Sequence, residues 1–479
     1  MSVIDYPRLK SKCQIFTPSD VVSKMLDLVD YKHQLVGKRV LENCCGDGQF
    51  LSQIVERYIK DAIREGYSLE NIARGLENDI VAYEIDKKLI DKCKNRLDAI
   101  SLKHNLRSIH WHIICDDFLG KKDAGQFDYI IGNPPYIAYQ DLPDEVRKEL
   151  KSNFSTCKKG KCDYSYAFIE KSLNLLVDSG KLSYIIPSNI FKNVYAEDLR
   201  ELIKEDLISI IDYPQDEVFH DVLVSPAIIL IAKGTNTNTL AYTKIVDNMS
   251  TTNWISKGNL LGKWIFDSNN NTNGKRVGDY FKVSNSIATL CNRVFVLKDG
   301  HFEGNLFVAG DKKIEAAILR KAVSPKNKRY SNRKPEYIIF PYYYNSDGVL
   351  LHYNENEMLK KFPYAMQYLK QYQTELQARD SDESAQWFEY GRSQALQNMN
   401  QQMIIISSII SEDTRAYLLS DDEIPYSGLY IIPTKELGLD DILTELNSDN
   451  FKRYVASVGV SVSGTSKRIT TKDIEDFLF

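Results

Sequence analysis

Short apolar runs alternate with helical spacing over the first half of this 479-residue chain. Four of these runs are rich in β-branched and aromatic residues and have the length of buried strands. They begin at Arg39, Ile80, Trp111 and Phe127, and each ends in small or polar residues. After the first run, apolar residues recur with the period of a helix at Leu51, Ile54, Val55 and Ile59. This alternation predicts an α/β fold built on a doubly wound, mostly parallel sheet.

The same alternation continues to about residue 232 and then changes. A helix is predicted over residues 164–177, ending in Asp178-Ser179-Gly180, and strands are predicted at 181–187, 207–213 and 227–232. Beyond about residue 240, short strands, aromatic clusters and long helical stretches indicate an α+β arrangement. The Asn/Thr-rich segment 235–239 is the clearest loop between the two patterns. We therefore expect two domains, residues 1–236 and residues 240–479.

A further helix is predicted near the start of the chain. Its apolar residues are Val21, Val22, Met25, Leu26 and Val29. Thr17 is a suitable N-cap, Pro18 suits the first helical position, and Asp20 stands where a capping-box acid would reach back. The exposed N–H groups of such a helix start can hold a carboxylate.

The fourth run stops abruptly at Asn133-Pro134-Pro135-Tyr136. The two prolines fix φ and donate no N–H, so this loop is stiff. Asn133 offers a side-chain carbonyl, Pro134 a main-chain carbonyl and Tyr136 a flat aromatic face. Two acceptors beside a π-surface suit a planar amino group such as adenine N6, although Asn-Pro is also a common turn dipeptide. The tetrapeptide by itself leaves a catalytic loop and an ordinary turn equally open.

The ends of the other three runs carry groups suited to a nucleoside ligand. Glu42 precedes a small-residue turn, residues 43–48, which lacks the full Gly-x-Gly-x-x-Gly pattern of dinucleotide folds. Glu84 ends the second run, where a carboxylate can accept hydrogen bonds from both ribose hydroxyls, and Asp117 ends the third. Any one acid is as well explained by a helix cap, but parallel strands bring their carboxyl ends to one edge of the sheet. The four runs together predict a joint cofactor and catalytic site.

Composition adds little to this picture. Hydrophobic residues make up 43% of the chain and charged residues 26%, with a formal net charge of −4, so any nucleic-acid surface must be a local patch. The eight cysteines include no Cys-x-x-Cys pair, which favours reduced thiols in a cytosolic protein over a zinc site. The sequence has no apolar run with the length of a membrane span. We expect no metal and no membrane partner.

The order of these motifs resembles that of the S-adenosylmethionine-dependent DNA amino-methyltransferases of restriction–modification systems, in the adenine-N6-specific, TaqI-like (gamma-type) arrangement. That class has a Phe-x-x-Pro-type cofactor motif first, then the glycine loop, then Asn-Pro-Pro-Tyr, then a C-terminal target-recognition domain. The resemblance covers about residues 11–232 closely and the second half more loosely. It implies a Rossmann-like class I methyltransferase fold, S-adenosyl-L-methionine as cofactor, and a prokaryotic, cytoplasmic protein.

The resemblance also implies roles for particular residues. The cofactor-binding residues would be Phe16, Thr17, Glu42, Asn43, Cys44, Gly46, Gly48, Glu84, Ile85, Asp117 and Phe118. Among these, Glu42 would meet the amino group of the methionine end, Glu84 the ribose and Asp117 the adenine amine. The catalytic residues would be Asn133, Pro134, Pro135 and Tyr136, with Tyr136 and Phe219 stacking on a flipped-out target base. For Phe219, core packing remains an alternative, and Asn43 departs from the proline that usually stands in this loop.

Two basic stretches of the second half suit contacts with nucleic-acid phosphates. Residues 321–334 hold six Lys or Arg and no acid, and residues 461–472 surround cations with small hydroxyl residues. We expect DNA contacts from Lys328, Arg329, Arg333, Lys334, Ser466, Lys467 and Arg468, and from Arg392 in a segment that resembles part of these enzymes' recognition domains. A solvated loop is the alternative for either stretch. The recognised DNA sequence cannot be read from such residues, because phosphate contacts set position rather than specificity.

The function implied by the resemblance is methyl transfer from S-adenosylmethionine to N6 of a flipped-out adenine in double-stranded DNA at a specific sequence. Such a modification protects DNA from a cognate restriction endonuclease, which we expect to be a functional partner rather than part of a stable complex. Two alternatives remain: methylation of a protein glutamine amide, which is also planar and conjugated, and a modification subunit that binds DNA only with a separate specificity protein. Intact Asn133, Glu84 and Asp117 disfavour a DNA-binding module without catalysis. A cytosine-N4 enzyme more often has serine in place of Asn133.

Overall fold

The computed structural model describes residues 17–121, 125–214, 225–247, 249–266, 274–330, 334–463 and 465–479. The chain divides into two compact units, Met1–Phe266 and Asp267–Phe479. The predicted division between residues 236 and 240 is too early, because two further strands continue the sheet of the first unit beyond that point. A loop signal in the sequence marks a turn between strands as readily as a domain boundary.

The first unit contains helices α1–α7 and strands β1–β9. The helices are α1 (Ser19–Leu28), α2 (Gln49–Arg64), α3 (Leu69–Asp79), α4 (Lys87–Lys103), α5 (Asp144–Asn153), α6 (Tyr164–Leu175) and α7 (Glu197–Lys204). The strands are β1 (Val40–Glu42), β2 (Ile80–Glu84), β3 (His112–Cys115), β4 (Phe127–Gly132), β5 (Leu176–Pro187), β6 (Leu207–Asp212), β7 (Pro226–Ala232), β8 (Thr239–Val246) and β9 (Met249–Ser256).

These strands form one nine-stranded sheet in the order β3-β2-β1-β4-β5-β7-β6-β8-β9. Parallel pairing joins β3 to β2, β2 to β1, β1 to β4, and β4 to β5. Strand β7 is antiparallel to both β5 and β6, β6 and β8 are parallel, and β9 is antiparallel to β8. The predicted mostly parallel α/β fold is confirmed. Because β3, β2, β1 and β4 are parallel neighbours, their carboxyl ends lie side by side on one edge of the sheet.

Apolar side chains cover both faces of the sheet. On one face, the predicted helical stripe of α2 is confirmed, since Leu51, Ile54, Val55 and Ile59 are all buried. The apolar cluster formed by α2 on this face also includes Val40 of β1. The next residue, Leu41, belongs to the apolar cluster on the other face. Successive residues of a strand point to opposite faces, so a strand buried on both sides reads as a continuous apolar run.

Two helix ends differ from the prediction. Helix α1 begins at Ser19 with Pro18 as its cap, and no side chain caps it, so neither Thr17 nor Asp20 has the predicted capping role. Helix α6 ends at Leu175, and the chain passes directly into β5 at Leu176, so Asp178-Ser179-Gly180 is not a helix C-cap. From Leu176 onwards the chain is part of a strand that pairs with β4, so the predicted helix does not continue to residue 177.

The second unit contains helices α8–α15 and strands β10–β25. The helices are α8 (Asn292–Phe295), α9 (Pro325–Arg329), α10 (Glu355–Lys361), α11 (Pro363–Lys370), α12 (Gln373–Gln377), α13 (Leu439–Leu446), α14 (Asp449–Val458) and α15 (Thr471–Glu475). The strands are β10 (Phe281–Asn285), β11 (Val296–Leu297), β12 (His301–Glu303), β13 (Leu306–Ala309), β14 (Lys312–Glu315), β15 (Leu319–Val323), β16 (Glu336–Ile339), β17 (Tyr342–Tyr344), β18 (Leu350–His352), β19 (Met403–Ile406), β20 (Ile409–Ile410), β21 (Tyr417–Leu419), β22 (Glu423–Pro425), β23 (Leu429–Pro433), β24 (Val460–Ser463) and β25 (Ser466–Arg468). Five small sheets of two to four strands carry these elements, which agrees with the expected α+β character.

Candidate active site at the carboxyl ends of the parallel strands

Two carboxylates accept main-chain hydrogen bonds from the turn after β1 and from the first turn of α2. Glu42 Oε2 accepts from the Leu51 amide at 3.1 Å, and Glu84 Oε2 accepts from the Gly46 amide at 2.9 Å. Gly48 has φ of +89°, and a Cβ placed on it would lie 2.6 Å from Cys93 Sγ. Only glycine therefore fits at this point, where the turn enters α2.

Three carboxylates stand at the ends of neighbouring strands, and burial raises the pKa of each. The pKa of Glu42, which is 2% exposed, lies well above its ordinary value. Burial also raises the pKa of Glu84 and of Asp117. Each carboxylate is held by a main-chain amide, since Glu84 Oε1 accepts from Asp86 at 2.8 Å and Asp117 Oδ1 accepts from Leu119 at 2.9 Å. Buried acids of this kind suit a ligand that brings its own donors or positive charge.

The residues next to Glu84 and Asp117 have different environments. Ile85 is 45% exposed at the sheet edge, where an apolar surface is available to a flat ring. Phe118 is only 2% exposed and packs against Tyr83 and Phe168, with ring centroids 5.4 Å and 5.5 Å away. The Phe118 side chain therefore lies in the core and supports the loop after β3, to which Asp117 belongs.

Asn133 lies at the end of β4 and is held from two sides. Its side-chain Nδ2 donates to the Thr17 hydroxyl at 3.2 Å. Its main-chain carbonyl accepts from the Cys44 thiol at 3.0 Å, which ties the fourth-strand loop to the turn after β1. Asn133 Oδ1 is a buried atom. Asn133 thus contacts both Thr17 and Cys44, and Thr17 is linked to the predicted catalytic residue rather than to a helix start.

The rest of the tetrapeptide is anchored below the same edge. The Tyr136 hydroxyl donates to the main-chain carbonyl of Ile185 in β5 at 2.8 Å. Burial raises the pKa of the Tyr136 hydroxyl well above its ordinary value, so the hydroxyl stays protonated. Pro134 is buried and Pro135 is partly exposed. Phe16 and Phe219, which were predicted to contact the cofactor and the target base, lie outside the described residues.

The structure contains a buried polar network under the site that the sequence analysis did not predict. Asn43 Nδ2 donates to Ser172 Oγ at 3.0 Å and also to the Tyr184 hydroxyl, while Ser172 and Tyr184 share a hydrogen bond of 2.7 Å. All three residues are at most 2% exposed. Asn43 stands where the resembled family usually has a proline. This difference was the one feature of the sequence that could have pointed to the network. Hydrogen bonds to α6 and β5 fix the turn where a proline ring would otherwise do so.

A lysine that the sequence did not single out holds the loop after β3. Lys171 Nζ donates to the main-chain carbonyls of Phe118, Leu119 and Lys121, the second at 3.2 Å. It also lies 4.6 Å from the centroid of the Phe118 ring. Burial lowers the pKa of Lys171 to about 8. Lys171 is thus the support that positions the Asp117 loop from α6.

Residues 41–219 of the chain match the Eco57I restriction-modification methylase family. The chain is 30% identical to the type II methyltransferase M.BstVI of Geobacillus stearothermophilus over 232 residues, which is 45% of this chain and 41% of that protein. It is also 30% identical to the type II methyltransferase M.PaeR7I of Pseudomonas aeruginosa over 256 residues, 51% of this chain and 44% of that one. The resemblance to restriction–modification methyltransferases is confirmed. These matches span less than half the length of either relative.

Two solved structures share the fold over nearly the whole chain. The type IIL restriction-modification enzyme MmeI, solved with DNA, has a TM-score of 0.59 at 13% identity and aligns with 96% of this chain and 64% of its own. A nuclease-deletion mutant of the type ISP enzyme LlaGI, solved with a DNA substrate mimic, has a TM-score of 0.57 at 14% identity and aligns with 97% of this chain and 46% of its own. The likeness extends into the second unit, which the family match does not reach.

The predicted DNA-contacting residues of this methyltransferase-like chain lie in the second unit, and several of them pair with acids there. Lys328 lies 2.8 Å from Glu423 and Arg329 lies 2.8 Å from Asp413. Arg392 lies 2.9 Å from Asp380 and 3.3 Å from Asp382. Such pairs keep guanidinium and ammonium groups at the surface but partly neutralise them.

The remaining predicted contacts form a second group on strand β25. Ser466, Lys467 and Arg468 belong to this strand, and Lys467 Nζ donates to Ser461 Oγ at 2.7 Å. Arg468 and Lys334 are exposed, and Arg333 lies outside the described residues. In the part of the chain that the structure describes, no helix has the length and apolar character to span a membrane, and no group of three or more His, Cys, Asp or Glu side chains could hold a metal ion.

Proposed function

We propose that this protein is a site-specific DNA methyltransferase that transfers a methyl group from S-adenosylmethionine to N6 of an adenine flipped out of double-stranded DNA. The observation that carries the proposal is the orientation of Asn133. In this orientation its Nδ2 donates to the Thr17 hydroxyl, and its side-chain oxygen would serve as an acceptor for a substrate amine. The names of the relatives, which are type II methyltransferases, support the same reaction class.

The residues at the sheet edge fit S-adenosylmethionine. Glu42 would pair with the ammonium of its methionine end, and Glu84 would accept from the ribose hydroxyls at the end of β2. Asp117 would accept from the adenine amine, with Ile85 against the ring. When bound, this cofactor supplies an electrophilic methyl group on a sulfonium. The raised pKa of Glu42 fits this assignment, because a buried carboxylate gains most from a cationic partner.

The chain's own residues would prepare the amine for attack. The lone pair of an exocyclic amine is delocalised into the purine ring, so adenine N6 is a weak nucleophile. Asn133 Oδ1 and the Pro134 carbonyl would each accept a hydrogen bond from one N–H of the amine and draw the nitrogen towards tetrahedral geometry. Both acceptors are held in place before the substrate arrives, one by Thr17 and the other by the rigid Pro-Pro backbone. The contribution of the protein is therefore positioning and fixed dipoles.

The target base must leave the helical stack to reach these acceptors, at a cost of a few kcal/mol. Tyr136 would recover part of it by stacking on the base, since such stacking contributes about 1–3 kcal/mol. Phe219 is proposed for the opposite face of the base. The second unit is proposed as the target-recognition domain, and the modification would protect DNA from a cognate restriction endonuclease.

Single-molecule sequencing of genomic DNA tests this proposal directly. The protein is expressed in a bacterial host that lacks adenine methylation, and the modified base, its position and the surrounding sequence are read together. We expect N6-methyladenine at one recurrent sequence and none in cells that express Asn133→Ala. Methylated cytosine would overturn the base assignment. Unmodified DNA combined with a methylated protein glutamine would overturn the substrate class.

A further inference from the structure

A turn close to the Asn-Pro-Pro-Tyr loop presents an unbalanced set of positive charges. Residues 150–162 contain Lys151, Lys158, Lys159 and Lys161 and no acidic residue. The formal charge of the whole chain is −4, so this segment departs from its average. We refer to residues 157–162 as the lysine turn. All three lysines of the lysine turn are exposed, whereas the cysteines at its two ends are fully buried.

The lysine turn is anchored by contacts that orient its lysines towards solvent. The buried side chains of Cys157 and Cys162 stand at the two ends of the turn and fix it to the core. Gly160 has φ of +66°, and a Cβ there would overlap the Tyr195 ring, so the ring packs directly on the backbone. Glu170 of α6 accepts from the amides of Ser155 and Thr156, at 2.9 Å and 2.8 Å, just before the turn.

The same anchors place the lysine turn beside the candidate active site. The Tyr164 amide, two residues after the turn, donates to the main-chain carbonyl of Ile137 at 3.0 Å, and Ile137 directly follows Tyr136. On the helix that leads into the turn, Lys151 Nζ lies 5.3 Å from the centroid of the Tyr139 ring. Positive charge is therefore concentrated where the chain leaves the loop that would hold the target base.

Acidic neighbours leave most of this charge available. Lys159 lies 3.6 Å from Asp198 and keeps 85% of its side chain exposed. Within the described ranges, neither Lys158 nor Lys161 has a carboxylate at ion-pair distance. Asp163 is turned towards α6, where it accepts from the Ser165 amide at 3.0 Å. Exposed charges act over about 8–10 Å at moderate ionic strength, so these lysines would attract a polyanion that binds next to them.

We propose that Lys158, Lys159 and Lys161 contact the phosphate backbone of DNA next to the flipped-out nucleotide. The inference rests on the proposed function, because it takes the adenine-bearing strand as the ligand of the neighbouring loop. Flipping a base exposes the phosphates on either side of it, and ammonium groups beside the pocket would neutralise them. These contacts set the register of the strand on the first unit and do not read its sequence.

Salt-dependent binding to a mixed-sequence DNA duplex tests the contact independently of methyl transfer. Each lost phosphate contact makes the plot of log K against log salt concentration shallower by about one unit. The full-length variant Lys158→Ala/Lys159→Ala/Lys161→Ala should make this plot shallower by about two to three units. It should also weaken DNA binding at every sequence. Its S-adenosylmethionine affinity and its thermal unfolding should match those of the wild type.

Two further variants separate phosphate contact from general charge and from misfolding. The triple substitution of the same lysines by arginine retains the charge and should retain the wild-type slope. The triple variant Lys92→Ala/Lys94→Ala/Lys103→Ala removes three exposed lysines from α4 and should also leave the slope unchanged. An unchanged slope in the lysine-turn variant, or an equal loss in the α4 variant, would overturn the inference. So would lysine-dependent binding of an acidic protein by an enzyme that does not bind DNA.

The readouts also keep this inference separate from the proposed function. If the wild type methylates adenine in DNA and the lysine-turn variant binds DNA with the wild-type slope, only the contact is wrong. If the wild type leaves DNA unmethylated but binds it with a slope that depends on the lysine turn, the reaction is wrong and the contact stands.

Discussion

The amide of Asn133 and the hydroxyl of Thr17 are joined by a hydrogen bond of 3.2 Å that spans 116 positions of sequence. An amide can rotate to exchange its oxygen and nitrogen, and a hydroxyl can donate or accept. In the structure, Asn133 has the orientation in which Nδ2 donates to the Thr17 hydroxyl and the side-chain oxygen is directed elsewhere. Several predictions depend on this orientation and on the contacts that support the loops around it.

Asn133→Ala should abolish methyl transfer while S-adenosylmethionine binding stays largely intact. The substitution removes the side-chain acceptor and leaves the carboxylates of β1, β2 and the loop after β3 in place. Calorimetric titration with the cofactor and a radiolabelled transfer assay measure the two properties separately. Normal turnover in this variant would refute the role proposed for Asn133.

Thr17→Val should lower the rate of transfer by about tenfold or more, because an amide that has lost its partner in a buried site costs about 1–3 kcal/mol. Thr17→Ser retains the hydroxyl and is the matched control. The rate constant of a single turnover at saturating cofactor is the measurement. Equal rates in the two variants would show that the hydroxyl does not set the orientation of Asn133.

Tyr184→Phe should lower the free energy of unfolding by about 1–3 kcal/mol, because Asn43 and Ser172 lose a buried partner. Combining it with Ser172→Ala should cost less than the sum of the two single changes, since both act on one network. Urea unfolding followed by tryptophan fluorescence measures these differences. Tyr67→Phe, at a residue that is 43% exposed, should have no effect. Strict additivity would contradict a shared network.

Lys171→Met should weaken S-adenosylmethionine binding by about tenfold, which corresponds to about 1.4 kcal/mol. The change retains side-chain length but removes the donors that hold the carbonyls of Phe118 and Leu119. Lys233→Met is the matched control, because Lys233 Nζ donates to the Leu176 carbonyl at 2.6 Å, away from the loop after β3. Equal losses of affinity in both variants would indicate a general loss of stability rather than a displaced loop.

Asp163→Asn should alter how stability depends on pH. Burial raises the pKa of Asp163 from 3.8 to about 6, so the folded state binds more protons than the unfolded state between these two values. The stability contributed by Asp163 is therefore fully present below about pH 4 and is lost as the pH rises through about 6.

The asparagine variant avoids this loss, because it cannot ionise and its amide oxygen can still accept from the Ser165 amide. Relative to the wild type, it should gain up to about 2–3 kcal/mol between pH 4 and pH 8, since one pKa unit corresponds to about 1.4 kcal/mol. Urea unfolding at a series of pH values measures this difference. The control is Asp91→Asn, at an exposed position of α4. Parallel pH profiles for Asp163→Asn and the wild type would contradict the prediction.

The sequence by itself determined the fold class and the region in which the site lies. Strands buried on both faces must be continuous apolar runs, and parallel strands must bring the residues at their carboxyl ends to one edge, so Glu42, Glu84, Asp117 and Asn133 could be grouped without coordinates. The local order of the motifs also carried the resemblance that the family match confirms over residues 41–219.

Only the tertiary structure decided what supports that edge. The bonds from Asn133 to Thr17, from Asn43 to Ser172 and Tyr184, and from Lys171 to the loop after β3 join positions far apart in the chain. It also moved the boundary of the first unit to Phe266, because pairing between strands rather than local composition decides where a sheet ends. Local periodicity reports which face of an element is buried, whereas the partner of a buried polar group depends on which distant element packs against it.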